Sequence, residues 1–172
     1  CDVFFVWDKK HSDLILNSDD RSAYHIISGY GEDINLLKKK HINYTKLICF
    51  CDNTLFDDLY LDKKEVFVML KLCLKFAYQY DYKLVIKTKK YKSFYKDLMN
   101  DNSSIIIEID DHIGSIQQYH EKTIFIGYGL FSLGILALKQ NKLALFFDKY
   151  NMIGEEYSSI LKNYIIQNEG DL

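Results

Sequence analysis

Apolar residues in this chain fall into short runs, separated by longer stretches in which they recur at helical spacing. Residues 47–51 form an unbroken run, Leu-Ile-Cys-Phe-Cys, closed by Asp52-Asn53-Thr54, the pattern of a strand buried on both faces. Similar runs occupy residues 83–86, 104–109, 123–126 and 143–147, with two more near the start at 3–7 and 24–28. Between them, apolar positions recur from 66 to 77. Asp62 is placed to cap that helix, and Glu65, three residues on, to reach back as in a capping box. Residues 33–41, 91–100, 113–121 and 131–140 read as further helices, and the segment after 150 as a helix with a frayed polar end. Strands alternating with helices of this length predict right-handed crossovers and an α/β fold, a mostly parallel sheet with helices on both faces. A single domain accounts for the whole: 1–45 is a lead-in segment, 46–150 the α/β core, and 151–172 a helical tail.

Composition narrows the class. With 172 residues, 48% hydrophobic and 15% aromatic, the chain has the material for a core, which argues against disorder. A net charge of -2 argues against a nucleic-acid binder, whose affinity rests on clustered Lys and Arg. Cys1, Cys49, Cys51 and Cys73 have neither zinc-site nor disulfide-framework spacing, which fits a reducing compartment and a cytoplasmic location. The first residues carry only a short apolar run before a charged cluster, so they predict neither a signal peptide nor a membrane span. Starting on Cys and entering a strand almost at once, the chain reads as a segment of a longer polypeptide. Proline is absent, which removes one of the usual turn signals.

In parallel α/β sheets, ligands bind outside the carboxyl ends of the strands. That singles out residues 8–11, Asp52 with Asn53 and Thr54, residues 87–90, residues 110–112 and residues 127–132. The segment Gly127-Tyr128-Gly129-Leu130-Phe131-Ser132-Leu133-Gly134 joins a strand to a helix. Small residues there let a backbone approach a ligand, and free amides with the helix dipole favour an anion, with the Ser132 hydroxyl as a further donor. The same glycines serve chain reversal equally well. Lys87, Lys89 and Lys90 follow a buried strand and suit a diphosphate as point charges; a solvated basic loop is the alternative. His11 and His112 lie at element ends, where an ordinary surface or capping role is favoured over that of a base. No pair among the five histidines has helical zinc spacing, so no metal site is expected.

The stretch Asp52-Asn53-Thr54-Leu55-Phe56-Asp57 resembles the first motif of haloacid-dehalogenase-type phosphatases, in which two aspartates flank one residue ahead of Gly-Thr-Leu. Phe50 stands at the nucleophile's position and Asn53 at the glycine's. Phenylalanine cannot form an aspartyl-phosphate. After residues 124–126, where that family has an acid for magnesium, this chain has Gly127-Tyr128-Gly129. The resemblance implies a phosphatase relative without phosphatase activity.

A second resemblance covers more of the chain, from about residue 3 to residue 150. The stretches FFVWDKKHSDLI, SGYGEDINLL, LICFCDNTLFDD, LVIKTKK and IFIGYGLFSLGILALKQNKLALFFD are, in that order, similar to the C-terminal, donor-binding lobe of GT-B-fold glycosyltransferases that build bacterial surface polysaccharides. This implies a Rossmann-like lobe taking a nucleotide-diphosphate-sugar donor as substrate, with no separate cofactor, and passing the sugar to a glycan acceptor. Donor binding would fall to Asp52, Asn53, Thr54, Lys87, Lys89, His112, Tyr128, Gly129, Phe131 and Ser132. A lobe preceding Cys1 would supply the catalytic base and any peripheral membrane contact. Leu136 stands where that group has a glutamate for the donor ribose, Asn141 where it has a glycine, Leu143 where it has a proline, and Thr88 replaces the proline of a Lys-Pro-Lys turn. Leucine cannot accept the ribose hydroxyl hydrogens. A degenerate Rossmann-like binding module is therefore the alternative to a working transferase.

Overall fold

A computed structural model of the chain describes residues 3–6, 24–27, 44–52, 63–88, 92–110, 116–151 and 153–168. The chain divides into two compact units, Cys1–Lys38 and Lys39–Leu172. In the first, β1 (Val3–Val6) and β2 (Tyr24–Ile27) pair in parallel, with Val3 opposite Tyr24 and Val6 opposite Ile27. The helix expected at 33–41 lies outside the described residues.

In the second unit the order is β3 (Leu47–Asp52), α1 (Lys63–Tyr80), β4 (Lys83–Thr88), α2 (Lys92–Asp101), β5 (Ile106–Asp110), a short 3-10 turn (Ile116–Gln118), β6 (Ile124–Tyr128), α3 (Ser132–Lys139), β7 (Leu143–Phe147), α4 (Glu155–Leu161) and β8 (Ile165–Ile166). These six strands form one sheet in the order β5-β4-β3-β6-β7-β8, every pair parallel. Counted from β3, this is the 3-2-1-4-5-6 order of the Rossmann fold, with its reversal between β3 and β6. The fold is Rossmann-like α/β, as the strand-helix alternation predicts, and its sheet is fully parallel.

The unbroken apolar run of β3 is explained by burial on both sides. Ile48 and Phe50 pack with Val66, Met69, Leu70 and Cys73 of α1 and with Tyr95 of α2. Leu47, Cys49 and Cys51, on the alternate positions, pack with Phe131, Ala137 and Leu161 on the opposite face. Burial pushes the Cys73 thiol up to about 12, so almost none of it is thiolate at neutral pH. Cys73 should therefore resist alkylation in the folded protein and react only once denaturant opens the core, a difference that mass spectrometry after timed iodoacetamide treatment reads directly.

Helix ends carry their own sequence logic. Asp81 and Asn141 take left-handed backbone angles, φ 58 and φ 57, one residue beyond α1 and two beyond α3. The N–H of Tyr82 returns to Ala77 O and that of Lys142 to Ala137 O, each at 2.9 Å, closing both helices by Schellman geometry. Asn141 thus does a glycine's conformational work. Asn141→Val should cost about 1–2 kcal/mol, because a β-branched residue is strained at that φ, whereas Asn141→Gly should not destabilise; thermal melts of the two variants check this.

Two sequence-based expectations need correction. The helix expected over 113–121 is, in its described part, only the 3-10 turn at Ile116–Gln118, followed by turn structure; burying Ile116 and Tyr119, three residues apart, needs no more than one such turn. The tail is not helical throughout, because Ile165 and Ile166 pair with Phe146 and Phe147 as a sixth strand. The Glu65 carboxylate receives Lys149 Nζ at 3.0 and 3.1 Å and the Tyr150 hydroxyl at 3.3 Å. Asp62, its expected partner, lies outside the described residues. Among the described residues no helix is long and apolar enough to cross a membrane.

Candidate functional site at the sheet reversal

The carboxyl end of β3 sits between those of β4 and β6. Asp52 is opposite Thr88, and Cys51 is opposite Gly127, which brings Tyr128 level with Asp52 on its other side. Asp52 is only 2% exposed, and its Oδ2 accepts a hydrogen bond from Thr88 Oγ1 at 3.1 Å. Tyr95 stands beside it on α2. Burial, and then the Asp52 carboxylate, hold the Tyr95 phenol well above its ordinary range. A buried carboxylate is tolerable only where donors surround it, and Thr88 is one such donor.

Tyr128 is buried against Phe147, ring edge to face with centroids 5.2 Å apart, in the same apolar layer as Phe50. Burial raises its phenol pKa first, and the charges of Glu65, Tyr150 and Asp148 add to the effect. Its hydroxyl has no hydrogen-bond partner among the described residues. Aromatic side chains therefore occupy the α1 side of the reversal at both strand ends.

The glycine-rich turn after β6 has a mainly internal explanation. Gly129 adopts φ 59, where other residues are strained, and its N–H donates to Phe147 O at 2.7 Å. Phe131, at the N-cap of α3, is buried with its ring 4.9 Å from that of Phe146. A Cβ at Gly127 would lie 2.7 Å from this ring, and one at Gly134 would lie 2.6 Å from it. Both glycines thus make room for Phe131. What the turn can still offer a ligand is the half-buried Ser132 and the first-turn amides of α3, a helix without a side-chain cap.

Lys87 is half-buried, with Nζ 5.9 Å from the centre of the Tyr119 ring. Val85, two residues earlier, packs in the layer that contains Phe131, so Lys87 shares the α3 face of the sheet. There it opposes the rise in the Cys51 thiol pKa, which a hydrogen bond with Cys49 and burial produce. Of the residues singled out in the sequence, Asp52 and Tyr128 meet at the reversal, and Lys87, Phe131 and Ser132 lie on the α3 side. Gly129 forms the turn. Asn53, Thr54, Lys89, Lys90, His11 and His112 lie outside the described residues.

Three contributors escaped the sequence reading. Thr88 stood out only as a missing proline, Tyr95 sits within a helix, and Asp148 closes the apolar run of β7 as Asp52 closes that of β3. That last parallel was the available signal. Asp148 Oδ2 accepts the N–H of Ile153 at 3.0 Å and so fixes the turn after β7. Among the described residues no group of three or more His, Cys, Asp or Glu side chains could hold a metal ion.

The fold, with its strand order reversing between β3 and β6, defines the class, a Rossmann-like α/β module. Compared with protein-family models, curated proteins and solved structures, the chain matches none.

Proposed function

We propose that the second unit is a catalytically silent relative of the haloacid-dehalogenase-type phosphatases that binds a phosphate monoester at the β3/β6 reversal without cleaving it. The observation carrying this reading is the register of β3 on β6, Cys51 opposite Gly127. It sets the stretch that resembles the family's first motif beside the end of β6, the position of that family's later motif, where residues serving a single phosphate have to meet. Phe50, at the nucleophile's place, is 1% exposed and packed in the core, and Tyr128 fills the place of the metal-binding acid. Binding would fall to the α3 amides, Ser132 and Lys87, which supply the positive field, and Asp52 would shape the crevice from the opposite side.

A second reading, the donor-binding lobe of a glycosyltransferase, is favoured by Lys87 and the start of α3 lying on one face of the sheet and flanking β3. A nucleotide diphosphate, longer than a monoester, would span that gap. Calorimetry separates the two. The first reading expects phenyl phosphate to bind at least as tightly as UDP or CDP, the second the reverse by tenfold or more. Under either, Lys87→Ala should weaken binding about tenfold, the loss of one charge-assisted contact. Unchanged affinity in that variant would exclude Lys87 from the site.

A further inference from the structure

An apolar cavity of about 280 Å³ lies between α1 and β8, on the amino-terminal halves of the strands and away from the reversal at their carboxyl ends. Ile124, Ile126 and Leu145 form its floor, and Cys73 and Phe76 its α1 wall. Chain handedness creates it. The buried residues of α1 and α2 pack on one face of the sheet, while those of α3 and α4, which follow β6 and β7, pack on the other.

Size and lining decide what fits. A helix about 10 Å across needs roughly 400 Å³ for each turn, more than the cavity holds. A cavity of about 150 Å³ accepts benzene, so this one takes a somewhat longer apolar body. Among the described residues its lining includes no charged side chain; Asn163 and Tyr164 are the hydrogen-bonding ones. A longer side chain at position 73 would fill it from the α1 wall. We propose that this cavity binds a small neutral amphiphile, with a short alkyl or aromatic body on the sheet floor and an uncharged hydrogen-bonding head at Asn163.

The test is a titration of the full chain with 1-octanol, followed by methyl NMR. Saturable shifts of Ile124, Ile126, Leu145 and Ile166 with one-site stoichiometry are expected, and octanoate should bind at least tenfold more weakly, since none of the described lining residues offers a cation to its carboxylate. Cys73→Leu fills the cavity from α1 and should weaken octanol binding at least tenfold without lowering the melting temperature. Leu145→Phe fills it from the sheet and decides the matter if the first variant does not fold. Non-saturable shifts, shifts scattered over the surface, or wild-type affinity in a folded filling variant would overturn the proposal. Equal binding of octanoate would overturn the neutral head.

Discussion

Gly127→Ala should destabilise the second unit by about 2–3 kcal/mol, the cost of overpacking a well-filled core, and lower the melting temperature by roughly 4–12 °C for a chain of this size. The added methyl would meet Phe131 Cδ1 at 2.7 Å and Cε1 at 2.8 Å. That ring has nowhere to go, because Phe146 packs on it and Gly134 closes on its far end, where a Cβ would stand 2.6 Å from Cζ. Gly134→Ala is the more diagnostic companion. In an exposed helix, glycine to alanine gains about 1 kcal/mol, so a loss of stability here reports the clash alone. Phe131→Leu should recover much of the loss in either background, and the double-mutant cycle should show coupling of about 1 kcal/mol or more, as expected of touching residues. Additive effects would mean that the glycines serve something other than Phe131.

Thr88→Val should cost about 1.5–3 kcal/mol, the range for a hydrogen bond to a charged group. Valine matches threonine in shape, so packing is kept and only the donor to Asp52 is lost. Because Asp52 and Thr88 are both 2% exposed, water cannot easily replace the missing hydroxyl. Thr88→Ser, which keeps the oxygen, should retain most of the stability. Chemical denaturation of the two variants reads the difference, and an unchanged midpoint for Thr88→Val would remove Asp52 and Thr88 from any account of how the crevice is held.

Much of this architecture was legible in the sequence, because buried parallel strands write themselves as apolar runs. Leu47 to Cys51 is the clearest case, with alternate residues packed on opposite layers. β8 was not legible: Ile165 and Ile166 are too short a run to signal a strand and become one only by pairing with Phe146 and Phe147, far away in sequence. The site was legible in part. A polar residue directly after an apolar run marked Asp52, and the same rule applied to β7 would have marked Asp148. The glycines of residues 127–134 admitted two explanations in sequence, since backbone approach to a ligand and room for a neighbouring ring call for the same residue. Only the placement of Phe131 on Gly127 and Gly134 separates them. The partners that Glu65 holds in the fold were not legible either: Lys149 and Tyr150 are 84 and 85 positions away.

The central claim is binding without cleavage at the β3/β6 reversal. Phosphorus NMR of p-nitrophenyl phosphate with the full chain and magnesium tests it in one sample. Broadening of the ester resonance that an excess of phenyl phosphate reverses, with no orthophosphate beyond the protein-free control, is the predicted result. Accumulating orthophosphate that Asp52→Asn abolishes would contradict the loss of catalysis, and an ester line as sharp as in buffer would contradict the binding crevice.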